Sequence, residues 1–250
     1  MTSKLLLSAL LAVSLAGTAA HAAPSATVTA AIADKGRPEA DTKRDADRKP
    51  ADMLAFAGVA PGQTVVDLIP GGGYFTRLFS KAVGPNGKVY AVFPPPRAPA
   101  DPSKPTPTPA AETIAADPAY GNVTPLRENF AAFSVPTKAD VIWTAQNYHD
   151  LHNVKDLDLG AMNKAIFSAL KPGGVFIVLD HAAAAGSDVT STLHRIDPAV
   201  VKREAEAAGF KYEGESKVLA NAADDHSKAV FDPALRGHTD QFVLKFRKPK

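Results

Sequence analysis

The 250-residue chain contains no cysteine. This absence excludes a disulfide framework, a metal site built on thiolates and a lipid anchor on an N-terminal cysteine. An excess of either charge is also lacking, because the formal net charge is only +2 at pH 7. The sequence therefore gives no electrostatic argument for a nucleic-acid partner or an anionic membrane surface. With 45% hydrophobic residues, the chain can bury one sizeable core, which favours one domain of enzymatic size.

Long apolar runs are lacking as well. The run at residues 5–17 follows Lys4 and is shorter than the roughly 20 residues that a membrane-spanning helix needs. Small residues follow it and end in Ala20-His21-Ala22, an A-x-A cleavage pattern. We predict a signal peptide over residues 1–22 and a periplasmic or secreted mature chain with no membrane anchor.

Two segments have compositions that predict little regular structure. Residues 23–40 are rich in Ala, Ser, Thr and Pro without periodicity, which predicts a flexible leader to a folded domain at 41–250. Residues 94–109 contain eight prolines. Such a segment is either a lid over a site or a poorly ordered insertion, and the sequence leaves both open.

A short apolar run, three glycines and a helical pattern follow one another near the middle of the first half. The run at 65–68 predicts a buried strand, and Gly71, Gly72 and Gly73 supply a turn whose backbone can approach a ligand closely. From Phe75, apolar residues at i, i+3, i+4, i+7 and i+8 predict a helix. The free N–H groups at such a helix start commonly hold a nucleotide, although a tight turn without a ligand gives the same pattern.

Further strand and helix patterns alternate along the rest of the chain. Near-continuous apolar strands between helices predict a parallel sheet covered on both faces. The last two strand patterns have no helix between them long enough for a parallel crossover, so they predict an antiparallel pair. After the first strand, the predicted strands are 88–93, 123–126, 139–145, 175–179, 212–219 and 241–247, and the main predicted helices are 47–58, 110–116, 159–170 and 197–209.

The order of these elements, with LKPGG before the fifth strand, resembles the class I S-adenosylmethionine-dependent methyltransferases over residues 47–247. The motifs RKPADMLAFAGVAPGQTVVDL, GGGY and RGHTDQFVLKFRKP resemble more narrowly a group of exported bacterial proteins described as predicted methyltransferases. The resemblance implies an α/β, Rossmann-like fold with a mostly parallel sheet, an antiparallel C-terminal strand pair and helices on both faces. It also implies S-adenosylmethionine as cofactor and an unidentified acceptor, which we expect to be a small molecule.

The resemblance places the cofactor at the glycine turn. The cofactor-binding residues that it implies are Asp67, Gly71, Gly72, Gly73, Tyr74 and Asn129. Asn129 would accept a hydrogen bond from the adenine amine, although a turn residue would look the same. Two positions depart from the family pattern: Ile69 replaces the first glycine, and Phe93 ends the second strand where an acid would bind the ribose hydroxyls.

Polar side chains follow the fourth and fifth predicted strands, whose carboxyl ends face the crevice of an open parallel sheet. Methyl transfer from a sulfonium is an in-line displacement, so a protein supplies positioning and a base. His149 or His181 could be that base, with His194 and Arg195 on the next connection; alternatively the histidines cap loops or bond one another. The candidate catalytic residues are Asn147, Tyr148, His149, Asp180 and His181.

Two other functions are compatible with the same residues. His149 and His152, with Asp180 and His181, offer nitrogen and oxygen ligands for zinc or iron, but no motif of fixed ligand spacing is present, and we predict no metal. A methyltransferase-like fold that has lost cofactor binding could serve as an exported binding protein. S-adenosylmethionine is made in the cytoplasm, so an exported methyltransferase would need a source of it outside, and calorimetry of the mature chain with this cofactor would separate the methyltransferase from the binding protein. The sequence gives no indication of oligomeric state.

Overall fold

The computed structural model describes residues 24–95 and 106–250. The predicted signal peptide and most of the proline-rich insertion therefore lie outside the described residues. Within the described ranges, no helix combines the length and apolar character required to cross a membrane.

The strands are β1 (Thr64–Leu68), β2 (Lys88–Phe93), β3 (Val123–Arg127), β4 (Ala139–Ala145), β5 (Leu170–His181), β6 (Lys211–Ser216) and β7 (Gln241–Arg247). They form one sheet in the order β3-β2-β1-β4-β5-β7-β6. Neighbours from β3 to β5 are parallel, whereas β7 pairs antiparallel with both β5 and β6. The predicted mostly parallel sheet with an antiparallel C-terminal pair is confirmed, and the carboxyl ends of β1, β4 and β5 meet at one edge.

Helices cover both faces of this sheet, as predicted. They are α1 (Ala26–Ile32), α2 (Glu39–Thr42), α3 (Asp45–Arg48), α4 (Pro50–Ala57), α5 (Tyr74–Val83), α6 (Ala110–Ala115), α7 (Tyr148–Leu151), α8 (Leu159–Ala169) and α9 (Pro198–Ala207). Successive strand residues point to opposite faces, so Val65 joins the core that contains Phe79 of α5, and Val66 joins the core that contains Met162 of α8. Burying each of these side chains stabilises the fold by about 1.5–3 kcal/mol.

Residues 24–40 fold against the domain, which corrects the flexible leader predicted at 23–40. Ser25 caps α1 by accepting a hydrogen bond from the Val28 N–H at 3.3 Å. Val28 and Ala31, at i and i+3, are buried in the core that contains α5. The prediction failed because a seven-residue helix with a narrow face of small side chains has no periodicity that stands out from an alanine-rich background.

The helix predicted at 47–58 is divided into α3 and α4. The break lies at Lys49, which adopts a left-handed conformation with φ 46°. Pro50 follows it, and a proline disfavours the helical conformation of the preceding residue while suiting the first turn of the next helix. The break leaves Arg48 at the end of α3, where its side chain reaches the carboxyl edge of the sheet.

Candidate functional site

The glycine turn connects β1 to α5 with three residues in the left-handed region. Gly71 and Gly73 have φ values of 55° and 78°, and Ile69, at the position of the missing first glycine, has φ 60°. For a β-branched residue this conformation is unfavourable by roughly 1–2 kcal/mol. The Ile69 N–H donates to the Val92 carbonyl at 2.8 Å, and its carbonyl accepts from Asn147 Nδ2 at 3.0 Å. Two neighbouring segments thus hold a strained isoleucine where glycine was expected.

The space above this turn is open to a ligand. A side chain added at Gly71 or Gly72 would meet no described atom within 4 Å. Gly73 is the N-cap residue of α5 and has no side chain that could accept a hydrogen bond from the free N–H groups of the first helical turn. Gly73 itself is packed, because an added Cβ would collide with Ile114 of α6. The turn therefore offers backbone at Gly71 and Gly72 and is anchored at Gly73.

Asp67 lies beneath the turn rather than in the open space. The residue is 3% exposed, and its carboxylate accepts a hydrogen bond from Thr76 Oγ1 of α5 at 2.6 Å. Burial raises the pKa of Asp67 to about 7, although the Thr76 hydrogen bond and the charge of Arg48 both lower it. In the structure Asp67 ties the strand to the helix that follows the turn.

Arg48 lies beside the turn and was missed by the sequence analysis. Its guanidinium carbon is 4.8 Å from the centroid of the Tyr74 ring, and its Nη2 donates to Gln146 Oε1 at 2.6 Å. Burial and the neighbouring Arg44 lower the pKa of Arg48 to about 10, so it stays cationic at neutral pH. The Tyr74 hydroxyl donates to Asp45 at 2.6 Å. Tyr74 is thus a packing surface for the arginine, with its hydroxyl already engaged.

The two family positions beyond β2 and β3 have other partners. Phe93 is buried, and the Arg127 guanidinium carbon lies 5.3 Å from its ring centroid. Arg127 in turn pairs with Glu112 of α6 at 2.6 Å, so α6 brings an acid close to the end of β2. The Asn129 side-chain oxygen accepts from the Ala131 N–H at 3.0 Å, which is the turn geometry that the sequence left as an alternative.

His149 and Asp180 form a buried pair at the ends of β4 and β5. Asp180 is fully buried and accepts hydrogen bonds from the His149 N–H at 2.8 Å, from His149 Nδ1 at 2.7 Å and from the His181 N–H at 2.8 Å. Burial lowers the pKa of His149, but the hydrogen bond and charge of Asp180, with the charge of Asp150, raise it overall. Because Nδ1 is held by Asp180, Nε2 is the ring nitrogen left for other contacts.

The other three candidate catalytic residues have separate surroundings. His181 lies with its ring centroid 5.9 Å from that of His149, and Thr239 Oγ1 is 2.7 Å from its Nδ1. Burial, with the positive charges of nearby residues, lowers the pKa of His181 to about 4 despite Asp180. Asn147 donates a hydrogen bond to the Ile69 carbonyl, as described above. Tyr148 is fully buried, and its hydroxyl donates to Glu204 at 2.8 Å. The structure thus brings His149, Asp180 and His181 together and places Tyr148 in the core.

The metal ligands considered in the sequence are not assembled as a set. His152 Nε2 lies 3.3 Å from Glu204 of α9, whereas His149 contacts Asp180 of β5. A different group of three residues, His149, Asp150 and His194, brings its potential ligand atoms within 4.8 Å of one another. Sequence reasoning missed this group because His194 is 44 residues from Asp150.

A cavity of about 800 Å³ lies elsewhere in the fold. It is lined by Lys88 and Asn122, at the amino ends of β2 and β3, and by Gly84 at the end of α5. Ligands of open parallel sheets bind at the carboxyl ends of the strands. The cavity therefore lies at the edge opposite the glycine turn and His149, and we do not assign it to the site.

The sheet order, the glycine turn after β1 and the antiparallel final strand define a Rossmann-like methyltransferase fold. Three solved structures support this assignment. A SAM-dependent methyltransferase from Aquifex aeolicus is 19% identical, with a TM-score of 0.55 over 85% of this chain and 99% of that chain. The arsenic(III) S-adenosylmethionine methyltransferase CrArsM from Chlamydomonas reinhardtii is 19% identical, with a TM-score of 0.54 over 91% and 75%. The glycopeptide N-methyltransferase MtfA, complexed with S-adenosyl-L-methionine, is 15% identical, with a TM-score of 0.54 over 87% and 90%.

At sequence identities of 15% to 19%, the similarity to these solved structures shows the fold alone. No family model and no curated protein sequence matches the chain.

Proposed function

We propose that the chain is an S-adenosylmethionine-dependent methyltransferase that acts on a small-molecule acceptor. The observation that carries the proposal is the open backbone at Gly71 and Gly72, at the uncapped start of α5. It lies at the same sheet edge as the buried His149–Asp180 pair. The solved structures of similar fold are methyltransferases, and one of them was crystallised with this cofactor.

The residues around the turn fit the chemistry of the cofactor. Gly71 and Gly72 leave room for it where a Cβ would intrude, and the free N–H groups of α5 favour an acceptor oxygen. Two arginines lie at the turn. Arg77 donates to the Gly72 carbonyl at 2.9 Å and is already paired with Asp41. Arg48, in contrast, contacts no carboxylate within 4 Å among the described residues, so we assign Arg48 to the carboxylate of the methionine portion. Binding of the cofactor carboxylate would replace the hydrogen bond from Arg48 to Gln146 with a charge-assisted hydrogen bond.

When bound, S-adenosylmethionine supplies a methyl group on a sulfonium sulfur; the acceptor's lone pair would attack the methyl carbon, and the bond electrons would leave with the sulfur. The protein has to align the acceptor and exclude water. We assign the acceptor contact to His149, because Asp180 fixes its ring and leaves Nε2 for a ligand. His181 lies next to it and stays neutral at pH 7, so it adds no competing charge.

Calorimetric titration of the purified chain with S-adenosylmethionine tests the proposal. We expect wild type to bind. Gly72→Leu should weaken binding at least about tenfold, or about 1.4 kcal/mol, because its side chain enters the open space without a positive φ to strain it. Arg48→Gln should weaken binding roughly tenfold to a hundredfold, the effect of one charged hydrogen bond.

The matched control is Gly121→Leu, an exposed glycine in a turn before β3 whose Cβ would make only an ordinary contact. It should bind as wild type does. The absence of heat at roughly millimolar cofactor would contradict the proposal. The buried Phe93 in place of a ribose-binding acid would then favour the alternative of a binding protein with a methyltransferase-like fold.

A further inference from the structure

We propose that His149, Asp150 and His194 form a binding site for a divalent transition metal, for which Zn²⁺ is the probe. The site combines two imidazole nitrogens and one carboxylate oxygen, all within 4.8 Å of one another. Imidazole with one carboxylate is a ligand set that suits zinc and non-haem iron. It differs from the ligands considered in the sequence, of which it keeps only His149.

Two of the three distances between the ligand atoms, those that involve Asp150, match the distances around a bound metal. Asp150 Oδ1 lies 3.3 Å from His149 Nε2 and 3.1 Å from His194 Nδ1. Zinc binds such atoms at about 2.0–2.2 Å, so atoms at neighbouring tetrahedral or octahedral positions lie roughly 3 to 3.5 Å apart. The side chain of Asp150 is 51% exposed and so has room to adjust when the two imidazole nitrogens close on a metal.

The buried carboxylate of Asp180 prepares His149 for this role. Its bond to Nδ1 at 2.7 Å selects the tautomer whose Nε2 carries the free lone pair. Metal-binding histidines usually donate their other ring N–H to a carboxylate in this way, and the partner raises the basicity of the ligand.

His194 is held in place by a buried ion pair next to it. Arg195 is fully buried, donates to the Ala182 carbonyl at 3.0 Å and pairs with Asp224 at 2.9 Å. His194 itself has φ 54°, a conformation that an unconstrained histidine seldom adopts. The strained backbone and the buried anchor together present the imidazole to Asp150 on the side where α7 places His149.

Three protein ligands leave coordination positions free, as in catalytic metal sites. Phe231 lies beside His194, with ring centroids 4.8 Å apart, and is 59% exposed, so an apolar surface borders the site. A metal here would hold an acceptor oxygen and lower its pKa, in place of direct contact with His149. That last step rests on the proposed methyltransferase function, whereas metal binding itself does not.

Zinc binding is tested with the tag-free full chain, stripped with a chelator and then titrated with Zn²⁺ in the absence of cofactor. We expect one tightly held zinc per chain, retained on desalting and counted by elemental analysis. Loss of an outer-shell partner alone weakens metal binding 10- to 100-fold, so His194→Ala and Asp150→Asn should each weaken it by more than about a hundredfold. Both side chains are partly exposed, so both variants should fold.

His238→Ala is the matched control, because that ring is 67% exposed and lies outside the cluster. It should bind zinc as wild type does. Failure of wild type to retain zinc, or unchanged affinity in both ligand variants, would overturn the proposal and leave the cluster as histidine–aspartate ion pairs. An equal loss in His238→Ala would also overturn it, since the zinc would then be bound elsewhere. Because no cofactor is present, these outcomes are independent of whether S-adenosylmethionine binds.

Discussion

The carboxyl group of Asp67 beneath the glycine turn should make a contribution to the stability of this protein that falls as the pH rises. Its pKa is raised from 3.8 to about 7, chiefly by burial. Between these values the folded protein keeps a proton on Asp67 that the unfolded chain has released. At this group the unfolded state therefore binds fewer protons, so the contribution of Asp67 to the free energy of unfolding decreases with pH across this window.

The size of the effect follows from the shift. Roughly three pKa units at 1.36 kcal/mol each amount to about 4 kcal/mol of lost stability. The loss is absent below about pH 4 and complete above about pH 7. Asp67→Asn removes the titrating group, and its amide oxygen can still accept the Thr76 hydrogen bond. The free energy of unfolding of the variant minus that of wild type should thus increase by about 4 kcal/mol from pH 4 to pH 7.

Urea unfolding at fixed ionic strength, followed by the fluorescence of the single and fully buried Trp143, measures this difference. Thr76→Val is an informative second variant. It removes a hydrogen bond that lowers the pKa of Asp67, so the decline with pH should extend further into the neutral range. A stability difference between wild type and Asp67→Asn that is the same at pH 4 and pH 7 would refute the reasoning.

Three further predictions concern packing, a buried charge and the start of the chain. Gly73→Ala should destabilise the protein by at least about 1 kcal/mol, because of its positive φ and a collision with Ile114 Cδ1. Ile114→Val removes that atom, so the double variant should lose less stability in urea unfolding than the two single variants lose together. Additive losses would contradict the proposed contact between Gly73 and Ile114. Asp224→Asn should cost about 3 kcal/mol in the same assay by leaving the Arg195 charge buried and uncompensated, and a loss under about 1 kcal/mol would argue against this. The intact mass of the exported protein should correspond to a start near Ala23, and a chain that still carries residues 1–22 would contradict the predicted location.

Much of the fold could be predicted from the sequence because its signals are local. The predicted bounds of β4 and β7 agree with the structure, since a run of apolar residues between turn signals needs no distant information. The glycine turn and α5 were predicted for the same reason. The end of α3 was missed, because the effect of Pro50 on Lys49 competes with an otherwise continuous helical pattern.

The candidate site could be predicted only in part. The polar residues that follow β4 do meet those at the end of β5, as in the contact of His149 with Asp180, because the carboxyl ends of parallel strands share an edge. Their individual partners were not predictable. His149 and His152 are three residues apart, but one faces Asp180 of β5 and the other Glu204 of α9. Helical spacing describes a shared face, whereas the neighbouring elements decide which partner each side chain meets.

The sequence by itself determined the alternation of strands and helices, the glycine turn and the edge at which polar residues collect, because these depend on neighbours along the chain. Only the tertiary structure decided that Arg48 reaches Gln146, 98 residues away, beside that turn. It likewise decided that His194 meets Asp150 and that Asp180 selects the tautomer of His149. Such pairs join residues that are distant in the chain, and their geometry depends on how the helices pack on the sheet, which no local pattern records.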